Sequence, residues 1–234
     1  MVGIIGSDGF LGSYLHKNIK DSIGINKHNY DDYKSENFHT LINANGNSRM
    51  YWANNNIIED FNKSTTSVYK SINDFKFEKY IYISSETVYD SINMKEKDII
   101  NTSTLTPYGF HKYLSEQLIK KYCNDYLILR CSALLGENLK KGVIYDIINN
   151  VPLYLNEYSK IQFINISEIL NIVNIPKLKN LIINVGGNGS VLIKDIYDGK
   201  YNSLTTHEHR EMNVNYLNSI IKLKTSTYYV KEYL

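Results

Sequence analysis

The chain has 234 residues, enough for one medium-sized domain with an appendix and too few for two full domains. Its 43% hydrophobic and 21% charged residues are those of an ordinary globular chain, and a net charge of +2 argues against a basic nucleic-acid-binding tail or a polybasic membrane patch. Two cysteines, Cys123 and Cys131, lie outside any CxxC pair, which argues against a disulfide framework and points to a reducing, cytoplasmic setting.

The opening residues are apolar only briefly before glycine appears, so no signal peptide is expected, and no run approaches membrane-spanning length. A short apolar strand is expected over 2–5, a helix over 10–19 and a second strand over 22–26. A third strand covers 40–44, with little more than a turn before it. A long helix follows over 57–75, with apolar positions at Ile57, Ile58, Phe61, Val68, Ile72 and Phe75. Residues 80–84, YIYIS, form the most strand-like run. A second long helix spans 107–122, with Thr106 as N-cap and Pro107 at the first helical position. Strands over 126–130 and 181–185 complete the pattern. Strands alternating with helices imply an α/β fold, a doubly wound parallel sheet covered on both faces. Residues 1–135 are expected to form a dinucleotide-binding core. Residues 136–234, where the pattern weakens, supply the remaining sheet strands and a small, trimmed substrate-binding portion.

The first candidate site is Gly6-Ser7-Asp8-Gly9-Phe10-Leu11-Gly12, between the first strand and the first helix. Gly6 permits a tight turn, Gly9 lets the backbone approach a pyrophosphate, and Gly12 lets helix pack on sheet. The helix N-terminus then offers its free N–H groups to phosphate. At the end of the second strand, where a carboxylate would hold a ribose 2′-hydroxyl, stand Asn26, Lys27 and His28. This favours NADP over NAD. Asp31 and Asp32, a few residues on, restore NAD if the loop folds back.

The second site joins Ser85, Tyr108 and Lys112. Tyr108 and Lys112 are four apart on one helix and share a face. A neighbouring ammonium favours the phenolate, fitting Tyr108 to take a proton from a substrate hydroxyl or return it to an alkoxide. Ser85 follows YIYIS at the carboxyl edge of the sheet, where open α/β sheets bind ligands.

Together these residues resemble the extended short-chain dehydrogenase/reductases, in the NAD-dependent epimerase/dehydratase group that acts on nucleotide sugars. Gly6, Gly9 and Gly12 match its GxxGxxG. Residues 83–89 match its SS-x-x-VY segment, with Ser85 at the catalytic place. Residues 107–112 match its P-Y-x-x-x-K, followed by Glu116. Leu129-Arg130, Gly136 and Asn184-Val185-Gly186-Gly187 match later landmarks. The resemblance implies a Rossmann fold, and a cofactor held by Gly6, Asp8, Gly9, Phe10, Leu11, Gly12, Asn26, Lys27, His28, Asn43, Ala44 and Gly46 together with Tyr108 and Lys112. Glu86, Thr87 and Lys140 are its candidate substrate contacts. The helices over 57–75 and 107–122 resemble the pair that joins two copies in a homodimer.

The chain also departs from the family. Ser64 stands where an asparagine is usual, Asp90 rather than glycine follows Tyr89, and members are usually longer. Ser85-Glu86-Thr87 retains one of the two acids typical of the dehydratases, which argues for reduction or epimerisation. The leading expectation is a keto-sugar reductase or epimerase in surface glycan synthesis. The alternatives are an NADPH-dependent reductase of a smaller carbonyl compound and a non-catalytic cofactor-binding protein. The pair His207 and His209 lacks a third ligand, so no metal is expected.

Overall fold

A computed structural model describes residues 1–234. Short apolar runs make the strands, and the segments between them make the covering helices. In chain order the first half comprises β1 (Val2–Ile5), α1 (Phe10–Asn18), β2 (Ser22–Ile25), β3 (Asn37–Asn43), α2 (Met50–Asn55), α3 (Ile57–Phe61), α4 (Ser67–Asp74), β4 (Lys76–Ser85) and α5 (Pro107–Tyr122). The second half comprises β5 (Tyr126–Cys131), β6 (Ala133–Leu135), α6 (Val143–Ile148), β7 (Leu153–Leu155), β8 (Lys160–Ile161), β9 (Phe163–Asn165), α7 (Ile166–Val173) and β10 (Leu181–Val185). It ends with β11 (Val191–Leu192), β12 (Tyr201–Thr206), β13 (His209–Arg210), α8 (Asn215–Asn218) and α9 (Ser226–Tyr233).

The main sheet has six strands in the order β10-β5-β4-β3-β1-β2. β1 runs parallel to β2, with Ile5 opposite Ile25, and to β3, with Ile5 opposite Asn43. β3 runs parallel to β4, with Asn43 opposite Tyr82. This is the parallel, Rossmann-like sheet expected from the alternating pattern. A buried cluster of Ile5, Ile25, Phe38, Leu41, Val68, Phe75, Tyr80, Tyr82, Ile119, Cys123 and Ile128 binds α4 and α5 to the strands. Each large apolar side chain sealed there contributes on the order of 1.5–3 kcal/mol. The Tyr80 hydroxyl is satisfied inside the core, at 2.7 Å from Asn43 Nδ2 and 2.6 Å from Ser71 Oγ.

The long helix expected over 57–75 runs without interruption from Ile57 to Asp74, but it is not α-helical throughout. α3 and α4 are separated by a π-helical turn over Asn62–Thr66. The cause lies in the run Ser64-Thr65-Thr66-Ser67. The Ser67 hydroxyl donates to the Lys63 carbonyl at 2.6 Å, and the Thr65 hydroxyl leaves its own helix to donate to the His111 carbonyl at 3.1 Å. Such side-chain bonds compete with the regular helical ladder. α2, which the apolar pattern does not mark, fills the stretch after β3.

Chain contacts define two compact units. One comprises Met1–Asp90, Ile99–Arg130 and Leu170–Ile183; the other comprises Ser91–Asp98, Cys131–Ile169 and Asn184–Leu234. The second unit is built from small sheets: β6 with β9, β7 with β12, and β8 between β11 and β13. Buried polar side chains tie these together. Gln162 is fully buried and bonds the Gly187 carbonyl at 2.8 Å and the Met212 N–H at 3.0 Å. No helix is long and apolar enough to cross a membrane.

Candidate active site

The glycine-rich turn after β1 is fixed by backbone bonds. Gly6 N–H donates to the Ile25 carbonyl at 2.8 Å, and Gly9 N–H to the Gly6 carbonyl at 2.9 Å. Gly6 has φ of +85°, and a Cβ there would lie 2.9 Å from the Asn45 backbone. A Cβ on Gly12 would lie 2.1 Å from the Gly6 carbonyl oxygen, so only glycine lets α1 start this close to the turn. The turn borders a cleft of about 890 Å³. Of the residues expected to hold the cofactor, Gly6, Asp8, Gly9, Asn26, Lys27, Ala44 and Gly46 line it. A nicotinamide dinucleotide fits this set of residues: the cradle leaves no room for side chains at Gly6 and Gly12, and the cleft carries the polar side chains Asp8, Asn26 and Lys27.

The other expected cofactor residues lie elsewhere. Leu11 and Gly12 are buried within α1. Phe10 opens that helix and is half-buried. His28 is exposed, and its backbone N–H closes a turn on Asn26 Oδ1 at 2.9 Å. Asn43 is buried, where its Oδ1 accepts the Asn45 N–H at 3.0 Å and so shapes the loop that does line the cleft. Asn26 Nδ2 donates to Asp8 Oδ1 at 3.2 Å, joining the glycine turn to the end of β2. Tyr30, Lys34, Ser67, Lys70 and Asp74 also line the cleft and escaped the sequence reading. They come from segments with no motif. Lys34 Nζ lies 2.7 Å from Asp31 and 3.7 Å from Asp74.

Ser85, Tyr108 and Lys112 are brought together. Ser85 ends β4 and caps the short turn Glu86–Val88, its Oγ accepting from Thr87 N–H at 3.2 Å and from Thr87 Oγ1 at 3.0 Å. Thr106 caps α5 as expected, accepting the Gly109 N–H at 3.2 Å, with Pro107 at the start of the helix. Burial raises the Tyr108 phenol above its ordinary pKa; the Lys112 ammonium and a hydrogen bond with Ser85 pull the other way. Lys112 is itself buried, its Nζ donating to the Ile83 carbonyl at 3.1 Å and lying 5.0 Å from the centre of the Tyr82 ring. Gly109 makes the meeting possible. A Cβ there would stand 2.0 Å from the Thr87 carbonyl oxygen, so α5 and the Ser85 turn touch backbone to backbone.

A buried ion pair holds the same elements from behind. Arg130 on β5 grips Glu116 on α5, with Nη2 to Oε2 at 2.6 Å and Nε to Oε1 at 3.0 Å. The Ser84 hydroxyl donates to Glu116 Oε1 at 2.6 Å, and Arg130 Nη1 donates to the Tyr89 hydroxyl at 2.8 Å. The clamp thus touches the residue beside Ser85, the end of its turn and the helix that carries Tyr108 and Lys112.

Among the candidate substrate residues, Glu86 is buried and Thr87 half-buried in the Ser85 turn, while Lys140 is exposed in the second unit. Ser64 is buried inside the π-helical turn, its hydroxyl unpartnered. His207 and His209 bond Asn156 and Glu211, at 3.4 Å each. No group of three or more His, Cys, Asp or Glu side chains is placed to hold a metal ion.

Several solved structures share this architecture. MoeE5 in complex with UDP-glucose and NAD superposes with a TM-score of 0.84 at 15% identity, over 98% of this chain and 97% of that one. UDP-galactose 4-epimerase gives 0.80 at 17% identity, over 99% and 96%. The dTDP-4-dehydrorhamnose reductase of Bacillus anthracis str. Ames, in complex with NADP, gives 0.79 at 16% identity, over 99% and 96%. At these identities the likeness speaks for the fold. No curated protein matches the sequence. The model of the NAD dependent epimerase/dehydratase family matches residues 2–158, two-thirds of the chain, and the glycine cradle, the Ser85 turn and the Tyr108–Lys112 helix all fall inside that match: the chain belongs to this family.

Proposed function

We propose that the chain is an NAD(P)-dependent oxidoreductase of nucleotide-bound sugars, a keto-sugar reductase or epimerase in surface glycan synthesis. The observation that carries this reading is the contact of the Tyr108 phenol with Ser85, four residues ahead of a buried Lys112. Family membership and the nucleotide sugars and dinucleotides bound by the structural neighbours support it. Gly6, Gly9, Asp8, Asn26, Lys27, Ala44 and Gly46 would hold the cofactor, which supplies hydride acceptance and donation. Ser85 Oγ holds the reacting oxygen, and the Tyr108 phenol removes its proton or returns it. Lys112, anchored on the Ile83 carbonyl, steadies the phenolate by its charge. Asn26 in place of a carboxylate, with Lys27 in the cleft, favours NADP, whereas Asp31, which lines the same cleft, is the carboxylate that would favour NAD, so both dinucleotides stand in the proposal. A cytoplasmic homodimer completes the proposal.

The test is turnover of UDP-, GDP- and dTDP-sugars with both dinucleotides, by wild type and Tyr108→Phe. Loss of the phenol is expected to lower turnover by about 10²–10⁴-fold while cofactor affinity holds. Full activity in Tyr108→Phe, or turnover of small ketones alone, would overturn the reading.

A further inference from the structure

Asp60 has no solvent exposure, and its two carboxylate oxygens serve different elements. Oδ1 accepts from Asn47 Nδ2 at 2.9 Å, and Oδ2 lies 2.7 Å from His111 Nδ1. A buried carboxylate is strongly unfavourable unless donors take up its lone pairs, and these two side chains are such donors. A carboxylate oxygen accepts, which makes His111 Nδ1 the donor of this bond.

The two partners matter for where they stand. Asn47 follows Ala44, Asn45 and Gly46, the loop lining the cleft. Its own Oδ1 accepts the Arg49 N–H at 2.9 Å, which stiffens the turn. His111 immediately precedes Lys112 on α5 and is 4% exposed. Its carbonyl accepts from Thr65 Oγ1 at 3.1 Å and Ser115 Oγ at 2.9 Å, and the Phe61 ring meets its imidazole edge-on at 5.3 Å. Loop and helix also approach directly, since a Cβ on Gly46 would lie 3.4 Å from Lys112 Nζ. Asp60 is bonded to both sides of that approach, to Asn47 beside Gly46 and to His111 beside Lys112.

We propose that Asp60 is a positioning residue: through Asn47 and His111 its carboxylate sets the distance between the cofactor-cleft loop and the helix that carries Tyr108 and Lys112. Cofactor affinity then depends on a group that lines no part of the cleft. The inference rests on reading the cleft as a dinucleotide site. The Asp60 charge also acts on Tyr108, opposing ionisation of the phenol.

The experiment measures NADH and NADPH dissociation constants of the full chain by calorimetry, with Tm recorded for each variant. Asn47→Ala and His111→Ala are each expected to weaken binding about tenfold, and the double variant no further, because both act through one carboxylate. His111→Asn, whose amide nitrogen replaces the Nδ1 donor, is expected to restore binding to within about twofold of wild type. Should His111→Ala fail to fold, Asp60→Asn replaces it in the cycle, and the same non-additivity with Asn47→Ala is expected. Binding within about twofold of wild type in Asn47→Ala, or multiplying losses in the double variant, overturns the proposal while leaving the cofactor reading intact. A wild-type chain that binds neither dinucleotide overturns both.

Discussion

At the scale of single residues, the acidity of Tyr108 is decided by opposed effects of known sign. Burial raises its pKa, and Lys112 and Ser85 lower it without cancelling the rise. A phenol with a raised pKa stays protonated to higher pH. Reduction, which needs the proton, is therefore expected to persist well into the alkaline range, and oxidation, which needs the phenolate, to climb with pH. Lys112→Met removes the ammonium that favours the phenolate, so the oxidative limb is expected to move to still higher pH. Rate profiles in both directions measure this, and an unmoved limb would exclude Tyr108 as the titrating group. Ser85, Tyr108 and Lys112 were legible because their signals are local: a residue just past a strand, and two residues one helical turn apart. Asp60 and His111 were not. They lie 51 positions apart, each is unremarkable alone, and only the fold makes them a pair. His28 misled for the complementary reason, since adjacency to Lys27 says nothing about which side chain faces the cleft.

At the scale of elements, α5 carries most of the site's precision. Alanine is normally favoured over glycine within a helix by about 1 kcal/mol. Gly109→Ala is nevertheless expected to be destabilising, by about 1–3 kcal/mol. Its methyl would stand 2.0 Å from the Thr87 carbonyl, a backbone atom that cannot swing aside. A lowered Tm together with lost turnover is the expected result, and a raised Tm would contradict the close approach. Glu116→Leu strands a buried Arg130 guanidinium and is expected to cost about 3–5 kcal/mol in denaturant unfolding. Adding Arg130→Met is expected to recover much of that loss, because the pair's desolvation then disappears as well. The main strands and α5 were legible from apolar runs and capping residues. The π-helical turn within the helix was not, because apolar spacing over 57–75 continues through it while the Ser and Thr hydroxyls bond backbone carbonyls. β8, β11 and β13, at two residues each, are too short to leave a pattern.

At the scale of the whole molecule, α3, α4 and α5 leave an apolar groove of about 570 Å³ bordered by Phe61, Tyr69, Leu114, Leu118 and Tyr122. Phe61, Tyr69 and Tyr122 are among the exposed large hydrophobic residues. The proposed homodimer covers this face. Sedimentation is expected to give a dimer for wild type and a monomer for Leu118→Lys, with secondary structure unchanged; a wild-type monomer would remove the dimer from the proposal. The order of the main sheet has a further consequence, for how the chain is made. Its middle strands come early, but β10, the partner of β5 at one edge, ends only at Val185. During synthesis β5 leaves the ribosome with one side unpaired and waits for a strand about 50 residues behind it, several seconds at ordinary elongation rates. For that interval the chain presents an open strand edge, a row of unpaired N–H and C=O groups beside apolar side chains, which is a template for pairing with another chain until β10 arrives.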